Sequence, residues 1–475
     1  MSLIQDRLST DIDQILKSGN YAPKVNLFAT IHTPTSDIEV KWLVGIMIHR
    51  DYNSSIGEYM QIEFRLTAEQ YKAYVEPYRD NLELSLYGKY ASSDNIDSNT
   101  DWPYEERYKL LIMNQLDTQG DKADNLSRSD LERSEMKIIK AQCLLRELET
   151  LRTITADGIY RNISIKDFLY WLYTNDSDYG KISGENIKYV ACIYPPNNEN
   201  TMDQLILPSG IRLMDVPGHI QEKGIGIYKG NLGVHMQKMY TKENNETKST
   251  NTIFIYPLYN KDMYDNTNPP KRRLMIFYPS NHLWDSSETN YIVDGDTVKI
   301  LASGKVQSMD DGENTINDTG TGYITNNPMA VLTQNLDVQD SSADAEPSSS
   351  LTAIRVKDKR DNNVYTPFIP NVANEYVIQS ELARNTMCGY MIKWRYCDMN
   401  LIYPGMPVCF IRSTTRDDII ELKGSVQATF CQWDNTNKTF TGIIHIYAEK
   451  YSLTKDLEDW KSGSDTESLL LANNS

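Results

Sequence analysis

A chain of 475 residues, 40% hydrophobic and 24% charged, is long enough for several domains, because single cores rarely grow beyond roughly 250–300 residues. Its 48 Lys and Arg against 65 Asp and Glu, a net charge of −17, argue against general nucleic-acid binding, since neutralising phosphates takes a basic surface. Apolar runs such as Trp42–Ile48 fall far below the roughly 18 residues of a membrane-spanning helix.

The N-terminus, Met-Ser-Leu-Ile-Gln-Asp-Arg, has no apolar signal-peptide core, so a soluble protein made in a reducing compartment is expected. Residues 2–18 place Leu3, Ile4, Leu8, Ile12, Ile15 and Leu16 at helical spacing before the stop Ser18-Gly-Asn20. This amphipathic helix has to dock on its own domain or on a neighbour. Strands follow at Val25–Ile31, Val40–His49, Tyr59–Leu66 and Leu82–Tyr87, with Asp51–Gly57 as a hairpin turn. Thr67 caps a short helix reaching towards Arg79. Polar loops at 92–101 and 117–130 flank a strand at Arg107–Met113, and residues 135–151 fit helix or strand equally, being apolar on more than one side.

The middle of the chain mixes both patterns. Ser164 is an N-cap with Asp167 at the third helical position, and Ile165, Phe168, Leu169 and Leu172 line one face of the helix it opens. Residues 205–235 read as short helices broken by Gly and Pro; strands are expected at Thr252–Leu258, Arg273–Tyr278 and Tyr291–Leu301. From Met309 to Ser350 the chain is rich in Asp, Asn, Ser, Thr and Gly, the composition of a linker or long loop.

The C-terminal stretch has the clearest strand signature. Cys388, Tyr390, Ile392, Trp394 and Tyr396 alternate with Met391, Lys393 and Arg395, and a second run covers Tyr403–Ile411. Ile419–Phe430 and Phe440–Ala448 form a hairpin around the turn formers Asp434–Lys438. Such strands at short spacing close into a small antiparallel barrel or sandwich. The fold class expected is α+β and β-rich. Its segments are an N-terminal helix (1–20), a first β module (21–155), an α+β middle (156–308), a polar linker (309–354), a second β module (355–453) and a tail (454–475) whose Leu457, Trp460 and Leu469–Leu471 give it an apolar face.

No chemistry is written at recognisable spacing. Gly224, Gly226 and Gly230 have the wrong spacing for a dinucleotide loop and no surrounding βα unit. Asp294-Gly-Asp296 and Asp310-Asp-Gly-Glu313 lack the alternating ligands of a calcium loop and read as turns. Cysteines 143, 192, 388, 397, 409 and 431 contain no Cys-x-x-Cys pair and read as buried thiols. The six histidines stand apart, and Lys271-Arg-Arg273 reads as a solvated strand edge. No catalytic residue, metal ligand or cofactor is assigned, and no enzyme activity is expected.

The order of pieces carries a resemblance. A β module, then Asp157-Gly-Ile-Tyr-Arg-Asn-Ile-Ser-Ile-Lys-Asp-Phe-Leu169, Leu207-Pro-Ser-Gly210, Gly226-Ile-Tyr-Lys-Gly230, Phe254-Ile-Tyr-Pro-Leu-Tyr259 and Tyr403-Pro-Gly-Met-Pro-Val408 with its hairpin resemble the tail hub (baseplate hub) proteins of long-tailed bacteriophages. The resemblance implies two antiparallel β-barrels related to the tail-tube module with an α+β domain between or above them. It further implies a homotrimeric ring in the virion tail that joins a six-fold tail tube protein to a three-fold central spike protein, beside other baseplate proteins, after synthesis in the host cytoplasm. DNA would pass through that ring without sequence-specific recognition, and an acidic lumen would keep phosphate from sticking. Two other classes compete: a tail-associated hydrolase of cell-wall or surface polysaccharide, which needs two carboxylates across a cleft, and a receptor- or carbohydrate-binding module, which needs exposed aromatic clusters.

Overall fold

The computed structural model describes residues 10–16, 24–55, 57–91, 105–113, 136–174, 189–243, 246–265, 272–278, 291–302, 307–308, 322–325, 338–340, 352–356, 374–385, 387–395, 397–413 and 419–449. Helix α1 covers residues 10–16. The first half of the expected N-terminal helix and the tail beyond Leu453 lie outside the described residues.

The chain then builds β1 (Lys24–His32), β2 (Asp37–Val40), β3 (Trp42–Asp51), β4 (Glu58–Thr67), β5 (Leu82–Ala91), β6 (Glu105–Ile112) and β7 (Met136–Leu145). Alternation drives them: Val25, Leu27, Ala29 and Ile31 are buried while Phe28 between them is exposed, and Met60, Ile62, Phe64 and Leu66 are buried at the same period in β4. Between β4 and β5, Thr67 Oγ1 accepts from the Gln70 amide at 3.1 Å. In return, Gln70 Oε1 accepts from the Thr67 amide at 3.2 Å, a reciprocal cap for the expected helix. The ambiguous stretch 135–151 is both things in turn: β7, then α2 (Arg146–Thr153). Ile139, Ala141, Cys143 and Leu145 are buried at period two, and Leu148 and Leu151 at helical spacing.

The middle of the chain holds β8 (Thr155–Ser164), α3 (Ile165–Tyr173), β9 (Tyr189–Ile193), β10 (Thr201–Arg212), α4 (Val216–Lys223), β11 (Leu232–Glu243) and β12 (Glu246–Pro257). Ser164 caps α3 as expected, accepting from the Asp167 amide at 3.1 Å. The stretch 205–235 departs from the short-helix expectation, because β10 is a twelve-residue strand paired with β8. Its breakers are absorbed where the register shifts between Leu207 and Ile211. Gly210 takes φ +82° there. Two short helical pieces remain in that region, a 3-10 turn at Leu213–Asp215 and α4 directly after it.

Next come β13 (Arg273–Tyr278), β14 (Tyr291–Asp294), β15 (Thr297–Leu301) and the two-residue β16 (Gln307–Ser308). Asp294-Gly-Asp296 is the turn between β14 and β15, with Gly295 at φ +59°. Within the polar segment expected as a linker, β17 (Gly322–Thr325), β18 (Val338–Asp340) and β19 (Thr352–Val356) pair as a small sheet of their own. The chain continues with α5 (Glu375–Asn385), β20 (Met387–Arg395), β21 (Pro407–Ser413), β22 (Ile419–Asp434) and β23 (Thr439–Glu449).

Both ends of the chain enter one 15-stranded sheet, whose main path runs β14-β15-β13-β21-β22-β3-β4-β7-β6-β5-β1-β2, with β23, β20 and β16 continuing from β22. The fold is therefore β-rich α+β. Helix α1 packs on this sheet: Ile12 and Ile15 are buried with Phe277, Leu301, Cys409 and Ile411, and Lys299 Nζ reaches Asp11 at 3.0 Å. The described part of the N-terminal helix thus finds its dock on its own chain.

Candidate functional site

The two ends meet along β22, the longest strand. Its first half pairs with β21; its second half, Ala428–Asp434, pairs with β3 from Asp51 to Gly45. The change of neighbour coincides with a register shift between Val426 and Ala428 that leaves Gln427 as the extra residue. Buried Gln427 makes use of that position, since its Nε2 donates to Leu258 O at 2.7 Å and its main-chain carbonyl accepts from the Tyr52 amide at 2.9 Å. One residue therefore touches the N-terminal sheet, the C-terminal hairpin and the middle of the chain.

The β3–β4 turn is held from above by the same middle region. Tyr256 donates its hydroxyl to Tyr52 O at 2.7 Å. His235 Nδ1 lies 3.1 Å from Ser54 O, a contact that only a donor nitrogen can satisfy. The His235 ring meets Tyr52 edge-on, centroids 5.0 Å apart. Burial lowers the His235 pKa to about 4, and the Arg50 guanidinium adds to the effect. Burial likewise pushes the Tyr52 hydroxyl up to about 12. Beneath the turn, Arg50 Nε and Glu58 Oε2 form an ion pair at 2.9 Å, with side chains only 8% and 4% exposed. Burial raises the Glu58 carboxyl above the ordinary carboxylate range against the pull of Arg50, and the nearby Glu106 adds to the rise.

Across the junction the strands form an antiparallel band in the order β6-β7-β4-β3-β22-β23-β20-β16. Cross-strand partners share a face. One row therefore runs Leu111, Gln142, Gln61, Met47, Gln432, Thr441, Arg395 without a break over seven strands. A neighbouring row holds Tyr59, His49, Phe430, Ile443 and Lys393. The opposite face is core, with Ile46, Ile48, Ile62, Trp433, Ile444 and Trp394 all buried.

The open face is polar and close to charge balance. Lys140 pairs with Glu63 at 2.9 Å and Lys109 with Glu149 at 2.9 Å. Arg107, Arg65 and Lys393 stand with Asp51 and Asp434 on the same side. Burial lowers the His445 pKa, with His49 across the seam as a second cause. At one end of the face, Trp42, Leu111, Met113 and Ile138 are 43–56% exposed.

Among the described residues, those weighed from sequence are not gathered into a reaction centre; Lys271, His282 and Asp310-Asp-Gly-Glu313 lie outside the described residues. Gly226, at φ +78°, lies against the Tyr376 ring of α5 in the connection between α4 and β11. All six cysteines are free thiols; five are buried and Cys192 is half-buried. Arg273 is tied to its surroundings, donating to Tyr264 O at 2.9 Å and lying 3.6 Å from Asp296. Among the described residues no group of three or more His, Cys, Asp or Glu is placed to hold a metal, and no helix is long and apolar enough to cross a membrane. What sequence reasoning missed is the β22–β3 seam: nothing in Ala428–Asp434 or Gly45–Asp51 marks them as partners, since alternation specifies a face and not a neighbour.

No protein-family model and no curated protein matches the sequence. Its fold is similar to those of solved structures. The tail protein from Neisseria meningitidis MC58 is 8% identical, with 89% of this chain and 96% of that chain covered at a TM-score of 0.44. The 43 kDa tail protein of prophage MuSo2 from Shewanella oneidensis is 9% identical over 88% of this chain and 96% of that one, TM-score 0.45. A component of the Escherichia coli type VI secretion system, itself similar to T4 bacteriophage tail proteins, is 7% identical over 89% and 77%, TM-score 0.39. These similar structures are tail and secretion-system proteins.

Proposed function

We propose that the chain is a structural tail protein, a hub whose copies close into a trimeric ring between a tail tube and a central spike. The observation that carries this reading is the eight-stranded antiparallel band drawn from both ends of the chain. Each end contributes strands to it, which suits one β module per end; three chains then supply six modules and match a six-fold tube above a three-fold spike. Three bands would also supply twenty-four strands. With strands about 4.8 Å apart and tilted by about 40°, a barrel of that number is roughly 45–50 Å across at the backbone. That leaves room for a DNA duplex once inward side chains are added.

The band's open face suits a passage. Its central row is Gln, Thr, Met and Leu with one Arg, and Lys109 on β6 and Lys140 on β7 are paired. Such a face neither grips phosphate nor repels it strongly. A lumen built from it would be close to neutral, which differs from the acidic lumen expected of such a ring.

Native mass spectrometry of the purified chain tests the reading. A trimeric ring has three times the 54.5 kDa of one chain. A chain that stays monomeric alone and also in the presence of tube and spike proteins overturns the hub.

A further inference from the structure

Helix α1 packs outside the main core. Ile12 and Ile15 are buried with Phe277, Leu301, Cys409 and Ile411 in a cluster separate from the one that runs through the rest of the molecule. This cluster covers one face of β13, β15 and β21, while Ile276, Ile300 and Val408 on the other face belong to the main core. Lys299 Nζ fixes the helix on the sheet by reaching Asp11 at 3.0 Å, and Asp294 holds the same ammonium at 2.9 Å. The dock lies at the end of the sheet, since β14, beside β15, has no further neighbour among the described residues.

The tether to this dock is short for its task. Val25, at the start of β1, is bound to the far end of the β22–β23 hairpin: its amide donates to Lys438 O at 2.6 Å and its carbonyl accepts from Trp433 Nε1 at 3.0 Å. Cys409, beneath α1, pairs with Lys423 towards the opposite end of β22. From Lys423 to Trp433 that strand runs about 30 Å, at roughly 3.3 Å per residue. Residues 17–23, which connect Leu16 to Lys24, reach at most about 26–29 Å when fully extended. The tether therefore spans the gap with little length to spare.

A short, taut hinge favours exchange of the element it carries between identical chains, because the same contacts form on a neighbour's dock and the tether can relax. The separate cluster lets α1 leave without opening the main core. We propose that in the assembled oligomer α1 crosses to the neighbouring copy. Ile12 and Ile15 of one chain then fill the dock on the next, and Asp11 of one chain pairs with Lys299 of the other. The occupant of this face is a second copy of the same helix. The inference rests on the reading that copies of the chain close into a ring.

The ion pair is its own reporter, since a carbodiimide joins a carboxylate to an amine only where the two touch, as Asp11 and Lys299 do. Lys299→Arg keeps the charge and offers no amine to react; Asp11→Asn keeps the shape and offers no carboxylate. Co-expressed in equal amounts, these two chains cannot form the link within either one. Peptide mapping of the mixed ring is expected to find the Asp11–Lys299 link at about a quarter of the wild-type yield, because one donor–acceptor combination in four carries both groups. Asp294 competes for Lys299 equally in both samples. A mixed ring without the link, beside a wild-type ring that has it, overturns the exchange and leaves the hub reading standing. A wild-type ring without the link also overturns the exchange, because α1 is then off the dock. A chain that forms no oligomer, alone or with tube and spike proteins, overturns the hub reading and the exchange together.

Discussion

The two hairpins that meet at the seam, β3–β4 and β22–β23, have the same local design and opposite surroundings. Each is a pair of alternating strands around a turn rich in Asp and Asn. The first turn is roofed by the middle of the chain, with Tyr52 wholly buried and its carbonyl held by Tyr256. The second turn stands in water and holds itself: Asp434 accepts from the Thr436 amide at 2.9 Å and from Asn437 at 2.9 Å. Those bonds, the Thr436 amide first, hold the Asp434 carboxyl below its ordinary range. Similar signals thus take on different energetic weight, because a polar group's worth depends on whether water can replace its partner.

The comparison can be broken most forcefully beneath the buried turn. Arg50→Ala leaves Glu58 buried without its cation, and an uncompensated buried charge costs about 3–5 kcal/mol. Denaturant unfolding should register that loss at neutral pH, and Arg50→Ala combined with Glu58→Gln should recover part of it.

Next in size is a pH effect at the same turn. His235 is neutral in the folded protein because burial lowers its pKa to about 4. Its contribution is complete above the unfolded value near 6.5 and is lost as pH falls towards 4, a loss of about 3 kcal/mol across that window. His235→Asn keeps a donor for Ser54 O without a group that titrates there. Its stability should be lower than wild type at pH 7 and should decline less between about pH 6.5 and 4.

A smaller effect is expected where the roof itself is pinned. Gly405 sits at φ +67°, and an added Cβ would fall within 2.7 Å of the Tyr256 ring. Thermal or denaturant unfolding of Gly405→Ala should show a cost of about 2–3 kcal/mol through left-handed strain and displacement of that ring. The smallest change belongs to the exposed turn. Asp434→Ala removes two bonds that water can replace and should cost about 0.5–1 kcal/mol. If Asp434→Ala destabilises as much as Arg50→Ala, the contrast between the hairpins is wrong.

Much of this was written in the sequence where neighbours along the chain decide structure. The Ser164 and Thr67 caps, the β22–β23 hairpin, the turn at Asp51–Gly57 and the alternation of β20 all depend on residues a few positions apart. Caps, turns and period-two burial are short-range physics, so a single chain suffices to specify them. Where a segment suited both kinds of element, as at 135–151, or carried Pro and Gly inside a strand, as in β10, local preference was not enough, and pairing with a remote strand settled the outcome. The candidate site belongs wholly to that second kind. Ala428–Asp434 lies beside Gly45–Asp51, Gln427 bridges three regions, and Gln142, Gln61, Gln432 and Thr441 share one row. Hydrophobic alternation tells a strand which side to bury and is silent about which edge it will meet; only the tertiary structure could supply that.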